Sequence, residues 1–338
     1  MKQKKEVRLS DIAKRLGIST VTVSKALSDK EGVGEELRIK IKELAQEMGY
    51  KFLKTPGGAR NGSTGNIGIV IPSRFFSPNY SYYWYLFNHL STALLSKNYF
   101  SMMELVSDKD EANCTMPRLI TEKKVDGVIF LGQTSNEYIQ KVKASYKDFI
   151  LMDFYTDDSE LDCVVSDDFY NSYLITKYLI SKGHKNLRFV GSFEATSSIK
   201  DRYMGFAKAL YESGINCSFN EIIKDRIDES NIIKMNLPSK DKLPSAFVCN
   251  SDLTAAKLIS QLEEKGIKVP ADTSVTGYDN FLAESEKNIP LTTIATNPKT
   301  IAEITVQLIL DKITGRVYIK GRHLVSGTII ERESVKQV

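Results

Sequence analysis

Two short runs of apolar residues between positions 9 and 27 recur at helical spacing and predict a pair of helices joined by a tight turn. The apolar faces consist of Ile12, Ala13 and Leu16 in the first run and of Val23, Ala26 and Leu27 in the second. Gly17 lies between the runs and can adopt the left-handed conformation that ends a helix. Ser10 and Ser19 stand at the starts of the two helices, where their hydroxyl groups can act as caps.

The next apolar face predicts a third helix, made by Leu37, Ile41, Leu44 and Met48 and ended by Gly49. Residues 54–65 follow as the one stretch rich in glycine, proline and serine, and they indicate a linker. We therefore expect a small all-α domain at residues 1–53 and a hinge at residues 54–65.

From Asn66 the pattern changes to short apolar runs that alternate with amphipathic stretches. The runs predict buried strands at 67–71, 100–106, 125–131, 149–154, 187–191, 246–249 and 274–278. Helical spacing is found at 80–97, 110–123, 136–146, 169–183, 201–213 and 253–265. This alternation predicts parallel sheets covered by helices, so the expected fold class is a helical domain followed by two α/β lobes with Rossmann-like sheets.

The outward side of the second predicted helix is a candidate DNA-reading surface, formed by Thr20, Val21, Thr22, Ser24 and Lys25. An ordinary helical hairpin is the alternative. Residues 1–60 hold 14 Lys or Arg against 8 Asp or Glu, a net of +6, whereas the whole chain carries +4. The positive charge is concentrated where a polyanion would bind, which favours DNA binding.

Composition and cysteine spacing exclude several protein classes. With 338 residues, 42% hydrophobic and 26% charged, the chain is typical of a soluble protein of about two to three domains. No apolar run approaches the roughly 18 residues that span a bilayer, and the charged start predicts no signal peptide, so we expect a cytoplasmic, nucleoid-associated protein. Wide spacing favours buried thiols over disulfides or zinc at Cys114, Cys163, Cys217 and Cys249.

The sequence offers no cluster of catalytic or metal-ligating groups. His89, His184 and His323 have no partner at metal-ligand spacing. The glycines of residues 62–68 precede a strand instead of following one, so they do not form a phosphate or dinucleotide loop. We therefore expect no enzyme activity, no cofactor and no metal.

Open α/β lobes bind ligands beyond the carboxyl ends of their strands, which makes the residues after each apolar run candidate ligand contacts. These residues are 72–76, 191–194 with Arg202, 250–252 and 279–280, together with the aromatic stretch 80–85. Carboxylates, an arginine and flat aromatic rings can hold a polyhydroxylated ring. For Asp252 and Asp279 a helix cap is equally open, Arg202 can equally be a surface ion pair, and the aromatic residues can equally be core or a lobe interface.

These features together resemble the LacI/GalR family of transcription regulators over the whole chain. The matching motifs are Leu9–Lys14, Gly17–Ser19, Thr22–Leu27, Met48–Tyr50, Ile67–Pro72, Lys182–His184, Arg202–Phe206, Gly266–Pro270, Ser274–Asp279, Leu291–Ile294 and Glu331–Arg332. The resemblance implies a helix-turn-helix headpiece and a core of the type I periplasmic binding protein architecture. The N-terminal lobe would comprise residues 66–167 and 298–324, and the C-terminal lobe residues 168–297 and 325–338.

The resemblance also implies functional residues. Base-reading positions fall on Thr20, Val21 and Lys25, of which Val21 suits a thymine methyl group and Lys25 a guanine. Phosphate contacts suit Ser19, Thr22 and Ser24. The implied effector contacts are Ser73, Phe75, Arg202, Ser251, Asp252 and Asp279, although Ser251 stands where sugar-responsive members often have asparagine.

The hinge departs from the family pattern. Counting without gaps places Ala59 at the position of the leucine that wedges open the central minor groove of the operator. Alanine cannot replace leucine as a wedge, and each nearby glycine costs about 1 kcal/mol of helix stability. We therefore expect this protein to bend its operator less, or to order its hinge only weakly.

The expected function is that of a homodimeric repressor of carbohydrate-utilisation genes. It would bind double-stranded operator DNA, with an affinity controlled by a small sugar held between the lobes. A regulator that responds to a nucleobase or nucleoside as corepressor is one alternative, and a solute-binding protein without DNA function is another. A hydrolase or transferase on the same fold is disfavoured, because the sequence lacks a nucleophile–base pair.

Overall fold

The computed structural model describes residues 7–27, 31–48, 50, 63–76, 81–226, 235–281 and 290–338. These residues belong to two compact units, with three helices in the first and both β-sheets in the second. No helix in these ranges is long and apolar enough to cross a membrane.

The first unit contains α1 (Leu9–Leu16), α2 (Thr20–Leu27) and α3 (Glu35–Glu47). Their apolar faces meet in a small core, formed by Ile12, Ala13, Val23, Ala26, Leu27, Ile41 and Ala45. The predicted turn is confirmed, since Gly17 ends α1 with a φ of 65°. Ser19 caps α2 as predicted, because its Oγ accepts the Thr22 N–H at 3.0 Å.

The predicted cap at Ser10 is wrong. Helix α1 begins at Leu9, and its capping residue is Arg8, two residues before the predicted cap. The Arg8 N–H donates to the Asp11 carboxylate at 2.8 Å, and this charged acceptor fixes the start of the helix. Gly49, the predicted end of α3, lies outside the described residues.

In chain order, the second unit contains β1 (Asn66–Pro72), α4 (Tyr82–Ser96), β2 (Phe100–Val106), α5 (Asp108–Ala112), α6 (Arg118–Thr121), β3 (Gly127–Leu131), α7 (Asn136–Ser145), β4 (Phe149–Met152) and β5 (Cys163–Ser166). It continues with α8 (Asp168–Ser181), β6 (Leu187–Val190), α9 (Ser197–Glu212), β7 (Ala246–Cys249), α10 (Asp252–Glu264), β8 (Ser274–Asp279), β9 (Thr292–Ala295), α11 (Pro298–Thr314), β10 (Arg322–Val325) and β11 (Thr328–Ile330).

The strands form two sheets, each the centre of a lobe. The first sheet has the order β10-β5-β4-β3-β1-β2, with every neighbouring pair parallel. The second has the order β11-β9-β8-β7-β6 and is parallel except for the β11–β9 pair. Strands β3, β4 and β5 are buried at every position, as expected for a sheet covered on both faces. The predicted α/β fold class is confirmed.

The chain passes between the two sheets after β5, after β9 and after β10. Helix α11 follows a strand of the second sheet but packs on the first. A Cβ atom on Gly127 of β3 would meet the side chain of Ile309 of α11 at 3.0 Å. The two lobes are therefore joined by three passages of the chain.

The structure differs from the predicted elements in two regions. Residues 110–123 form two short helices instead of one, because Cys114 has a φ of 51° and Pro117 stands at the start of α6. Strand β5 and all elements after residue 279 were not predicted. Strands β5, β9, β10 and β11 have only three or four residues, which is too few to show a period by themselves. Helix α11 has 17 residues, so its length does not explain why it was missed.

Helices α8 and α9 cross at a glycine. A Cβ atom on Gly205 would lie 2.0 Å from the Phe169 carbonyl oxygen, so only glycine allows this approach. The close crossing brings Arg202, one turn before Gly205, against Asp168 at the start of α8. It therefore positions the buried Arg202–Asp168 ion pair of the second lobe.

Candidate functional site

A cavity of about 360 Å³ lies between the lobes at the carboxyl ends of their strands. Residues that follow β1, β4, β7 and β8 contribute to its wall, as the open α/β architecture predicts. The lining consists of Arg74, Phe75, Ser81, Tyr82, Tyr83, Asp153, Thr196, Ser198, Ile199, Arg202, Arg226, Asn250, Ser251, Leu253, Asp279 and Phe281.

Arg202 is the buried centre of this site. Its Nε donates to Asp168 Oδ1 at 2.7 Å, and its Nη2 lies 3.7 Å from Asp279 Oδ1. Its Nη1 donates to the Asn250 carbonyl oxygen, and its guanidinium lies 3.7 Å from the centre of the Tyr278 ring. Burial alone would lower the pKa of Arg202, but the carboxylates of Asp168 and Asp279 more than compensate and hold it well above the usual value.

Two carboxyl groups of the lining have raised pKa values. Burial, reinforced by the charge of Asp168 and opposed by Arg202, raises the pKa of Asp153 to about 7. Burial raises the pKa of Asp279 to about 6, although Arg202 counteracts it. Tyr83 donates its hydroxyl to Asp153 Oδ2 at 2.9 Å. Asp279 Oδ1 has no hydrogen-bond partner among the described residues, so it is available to a ligand.

The backbone at these carboxylates is left-handed. Asp153 has a φ of 68°, Asp279 of 99° and Asn280 of 53°. Residues other than glycine adopt such conformations at a cost, which is lowest for asparagine and aspartate, and strained backbone of this kind is found at active sites as well as in turns.

Aromatic rings from both lobes form another part of the lining. Phe75 stacks on Tyr83 with the ring centres 4.9 Å apart. Tyr82 meets Phe281 edge-on at 5.5 Å, and its hydroxyl lies 3.3 Å from that of Thr296. Tyr82 and Tyr83, from the predicted aromatic stretch, therefore belong to the cavity wall, and Tyr82 also contributes to the contact between the lobes.

The six predicted effector contacts divide into two groups. Phe75, Arg202, Ser251 and Asp279 line the cavity, whereas Ser73 and Asp252 do not. Ser251 also caps α10, because its Oγ accepts the Thr254 N–H at 3.1 Å.

Asp252 is occupied by the protein itself. Its two carboxyl oxygens accept the Thr293 hydroxyl at 2.6 Å and the Phe281 N–H at 2.8 Å. Burial raises its pKa to about 8. In this arrangement Asp252 holds the loop that follows β8, and its role as an effector contact stays a prediction.

Sequence reasoning missed the cavity residues Asp153 and Arg226 and the supporting carboxylates of Asp168 and Asp225. The rule that ligand contacts follow the carboxyl ends of strands, here called the strand-end rule, would have included Asp153 if the apolar run 149–154 had been divided at Met152, where β4 ends. Asp225 accepts hydrogen bonds from Ser192 and Asn250, residues distant in the chain, and no local pattern indicates such contacts.

The candidate DNA-reading residues lie on the outer side of α2. Thr20, Val21, Ser24 and Lys25 are exposed and Thr22 is partly buried. The Val21 side chain is 62% exposed and is therefore accessible to a partner. Ala59 and most of the predicted hinge lie outside the described residues.

Comparison with known proteins gives matches to both parts of the chain. Residues 8–51 match the bacterial regulatory proteins of the lacI family, and residues 176–335 match a periplasmic binding protein-like domain. The HTH-type transcriptional repressor PurR of Vibrio atlanticus is 25% identical over 97% of this chain and 98% of its own. PurR of Pasteurella multocida is 26% identical with the same coverage.

Solved structures share the fold. The lac repressor dimer bound to operator and the anti-inducer ONPF matches with a TM-score of 0.70 and 19% identity, covering 98% of this chain and 100% of that one. The transcriptional regulator CelR in complex with cellobiose matches with a TM-score of 0.69 and 18% identity, covering 97% and 100%.

Replacement of Asp153 by Asn is expected to stabilise the ligand-free protein increasingly as the pH rises. An aspartate in the unfolded chain titrates near pH 4, whereas burial raises the pKa of Asp153 to about 7. The contribution of this proton to the free energy of unfolding is fully present at a pH below the pKa of the unfolded chain. It is lost as the pH rises through the pKa of the folded protein. Asparagine still accepts from Tyr83 and does not titrate.

The difference in melting temperature between Asp153→Asn and the wild type should therefore grow from pH 5 to pH 8, to about 2–4 °C or more. Thermal unfolding followed by circular dichroism at four pH values measures it. The exposed Asp241→Asn variant is the control and should show no trend. A constant difference across this range would contradict the buried, raised-pKa environment of Asp153.

Proposed function

Because the chain belongs to the LacI family and is a DNA-binding transcriptional repressor, we propose that a small polyhydroxylated effector binds between its lobes. This effector, for which a sugar is the first candidate, controls the affinity of the repressor for operator DNA. The observation that carries this proposal is the cavity in which Arg202 and Asp279 stand beside aromatic rings. The three groups together provide charged hydrogen-bonding partners and flat apolar faces.

The size and polarity of the cavity support a ligand of this class. A volume of about 360 Å³ lies at the lower end of the roughly 300–1,000 Å³ of small-molecule sites. The side-chain oxygens Asp279 Oδ1 and Asn250 Oδ1 have no hydrogen-bond partner in the described part of the chain. Buried polar atoms of this kind need partners, which the hydroxyl groups of a sugar supply.

Control of DNA binding follows from linkage. An effector that contacts both lobes favours one lobe arrangement over the other, and it changes DNA affinity to the extent that the DNA-binding form prefers one of them. The effect is reciprocal and typically amounts to about 1–3 kcal/mol. The sign, inducer or corepressor, depends on which arrangement the effector prefers.

A nucleobase or nucleoside effector is the second candidate. It is favoured by the aromatic rings of Phe75, Tyr82 and Phe281, which suit a planar heterocycle. Repressors named PurR among the full-length relatives are compatible with it. Thermal-shift measurements with sugars, nucleobases and nucleosides separate the candidates, because a bound ligand stabilises by RT ln(1 + [L]/Kd).

Thr20, Val21 and Lys25 are the proposed base-reading residues on α2. Lysine donates to guanine O6 or N7 in the major groove, and the Val21 side chain suits a thymine methyl group. Salt-dependent retardation of duplex DNA would separate this function from a solute-binding or enzymatic one, because phosphate contacts release counterions.

Replacement of Lys25 by Ala is expected to relax base preference and to reduce specific affinity by about 1–3 kcal/mol. Selection of binding sites from a random duplex pool, followed by gel retardation on the selected site, measures both effects. Lys40→Ala removes the same charge from an exposed position of α3 and should leave the selected sequence unchanged. An identical site profile for Lys25→Ala would remove this residue from the reading surface.

Replacement of Asp279 by Asn is expected to weaken effector binding by about tenfold or more and to abolish the response of DNA binding to the effector. The change keeps the side-chain shape but removes the charge that faces Arg202, and hydrogen bonds to charged groups are the stronger ones. Titration of the thermal-shift ligand against protein and protein–DNA complex measures both, with Asp241→Asn as control. A variant that still responds at wild-type concentrations would remove Asp279 from the site.

We also propose that the repressor is a homodimer formed through the first lobe. Strand β2 is an edge of its sheet, yet Phe100 is 66% and Leu105 is 42% exposed, and on α4 Trp84 and Leu95 are exposed as well. An exposed apolar surface beside an unpaired strand edge is typical of a protein interface.

Replacement of Leu105 by Glu is expected to convert the dimer to a monomer, because a buried charge without a partner opposes association. Sedimentation velocity measures the change. Leu324→Glu places the same charge on β10, the opposite edge of the sheet, where leucine is 51% exposed, and should leave the dimer intact. A Leu105→Glu variant that remains dimeric would exclude this surface.

A further inference from the structure

Arg226 lines the cavity without a hydrogen-bond acceptor of its own in the described chain. Its Nε lies 3.7 Å from Asp225 Oδ1, an ion-pair distance that is too long for a hydrogen bond. Its side chain is 29% exposed, so the guanidinium can reach the cavity space.

Asp225 cannot turn to satisfy Arg226, because its carboxylate is held by four donors. Oδ1 accepts the N–H and the hydroxyl of Ser192 at 2.8 and 2.7 Å. Oδ2 accepts the Asn250 side-chain amide at 3.0 Å and the Thr254 hydroxyl at 3.1 Å. Asp225 is fully buried, and it anchors the segment that presents Arg226.

The other two arginines of the lining are already engaged. Arg74 donates to Glu111 at 2.6 Å and to the Gln133 carbonyl oxygen at 2.6 Å, and it pairs with Asp108 at 2.9 Å. Arg202 is held by Asp168 and by the Asn250 carbonyl. Among the arginines of the described lining, Arg226 is therefore the one whose guanidinium makes no hydrogen bond to the described part of the protein.

The surroundings of the cavity are compatible with an anion. The Asp279 carboxylate faces Arg202, which offsets its charge. The pKa of Asp153, raised by burial to about 7, leaves much of this carboxyl protonated at neutral pH. Thr196 and Ser198, at the start of α9, add hydroxyl groups to the same wall.

We propose that the effector is anionic: a sugar or similar polyhydroxylated molecule that carries a phosphate or carboxylate group, which Arg226 binds. A guanidinium presents two parallel donors that match either group. The inference rests on the proposed effector function of the cavity and names the chemical class of its ligand. It makes Arg226 the residue that distinguishes the acidic ligand from its neutral parent.

The test uses the full chain and matched probes at constant ionic strength: glucose, glucose 6-phosphate and glucuronate; ribose and ribose 5-phosphate; and inorganic phosphate. Thermal shift and calorimetry compare the wild type with Arg226→Gln, Arg226→Lys and Lys224→Gln. Lys224 is exposed, belongs to the same segment and does not line the cavity, so its variant controls for the loss of one charge.

We expect at least one acidic probe to bind the wild type and Lys224→Gln more tightly than its neutral parent does. Arg226→Gln should lose about tenfold or more of that affinity, and Arg226→Lys should retain part of it. Preference for the 6-phosphate or for the uronate identifies the anionic group. A folded Arg226→Lys variant keeps the test valid if Arg226→Gln does not fold.

The proposal is overturned if neutral parents bind as tightly as their acidic derivatives, if Arg226→Gln binds the acidic probe like the wild type, or if no acidic probe stabilises the wild type more than Arg226→Gln. Failure of the proposed function looks different. In that case a probe binds the cavity, with or without help from Arg226, yet leaves retardation of DNA by the protein unchanged.

Discussion

The second lobe depends on one buried ion pair, that of Arg202 with Asp168. A charge at this depth is tolerated only when paired and hydrogen-bonded, and loss of one partner would leave the other uncompensated. The arginine also contacts the Asn250 carbonyl, the Tyr278 ring and the Asp279 carboxylate. A single side chain on α9 thus contacts α8 and the ends of β7 and β8. These contacts fix the positions of the groups that would recognise a ligand.

The neighbouring residue on α9 extends this constraint to the first lobe. Asp201 accepts the Tyr155 hydroxyl at 2.8 Å and pairs with Arg322 at 2.6 Å. Tyr155 follows β4 and Arg322 lies on β10, so both partners belong to the first lobe. Helix α9 therefore carries, at consecutive positions, a residue committed to the cavity and a residue committed to the opposite lobe. A ligand that displaces Arg202 acts on the same helix that holds the lobes together.

The fold class was predictable because a parallel sheet covered on both faces requires continuous apolar strands, and β1 and β7 show such runs in the sequence. The strand-end rule led to Asp279 for the same reason. It did not reveal that Asp252 faces inward to Thr293, or that Asp225 is held by Ser192. These contacts join distant segments and are decided by packing, which no local periodicity records. In the headpiece, the turn at Gly17 and the cap at Ser19 were predictable because they depend on local backbone chemistry. The predicted cap at Ser10 was wrong, because the Asp11 carboxylate accepts the Arg8 N–H at an earlier helix start.

The left-handed backbone at Asp279 and Asn280 lowers the stability of the loop, and the same loop carries the carboxylate that can contact a ligand. Left-handed conformations outside glycine cost of order 1–3 kcal/mol each, and glycine at position 279 would remove that cost together with the carboxylate. The most stable sequence for this loop is therefore not the one that contacts a ligand. Selection for thermal stability alone would therefore favour loss of the Asp279 carboxylate. The result would be a more stable protein that no longer responds to its effector.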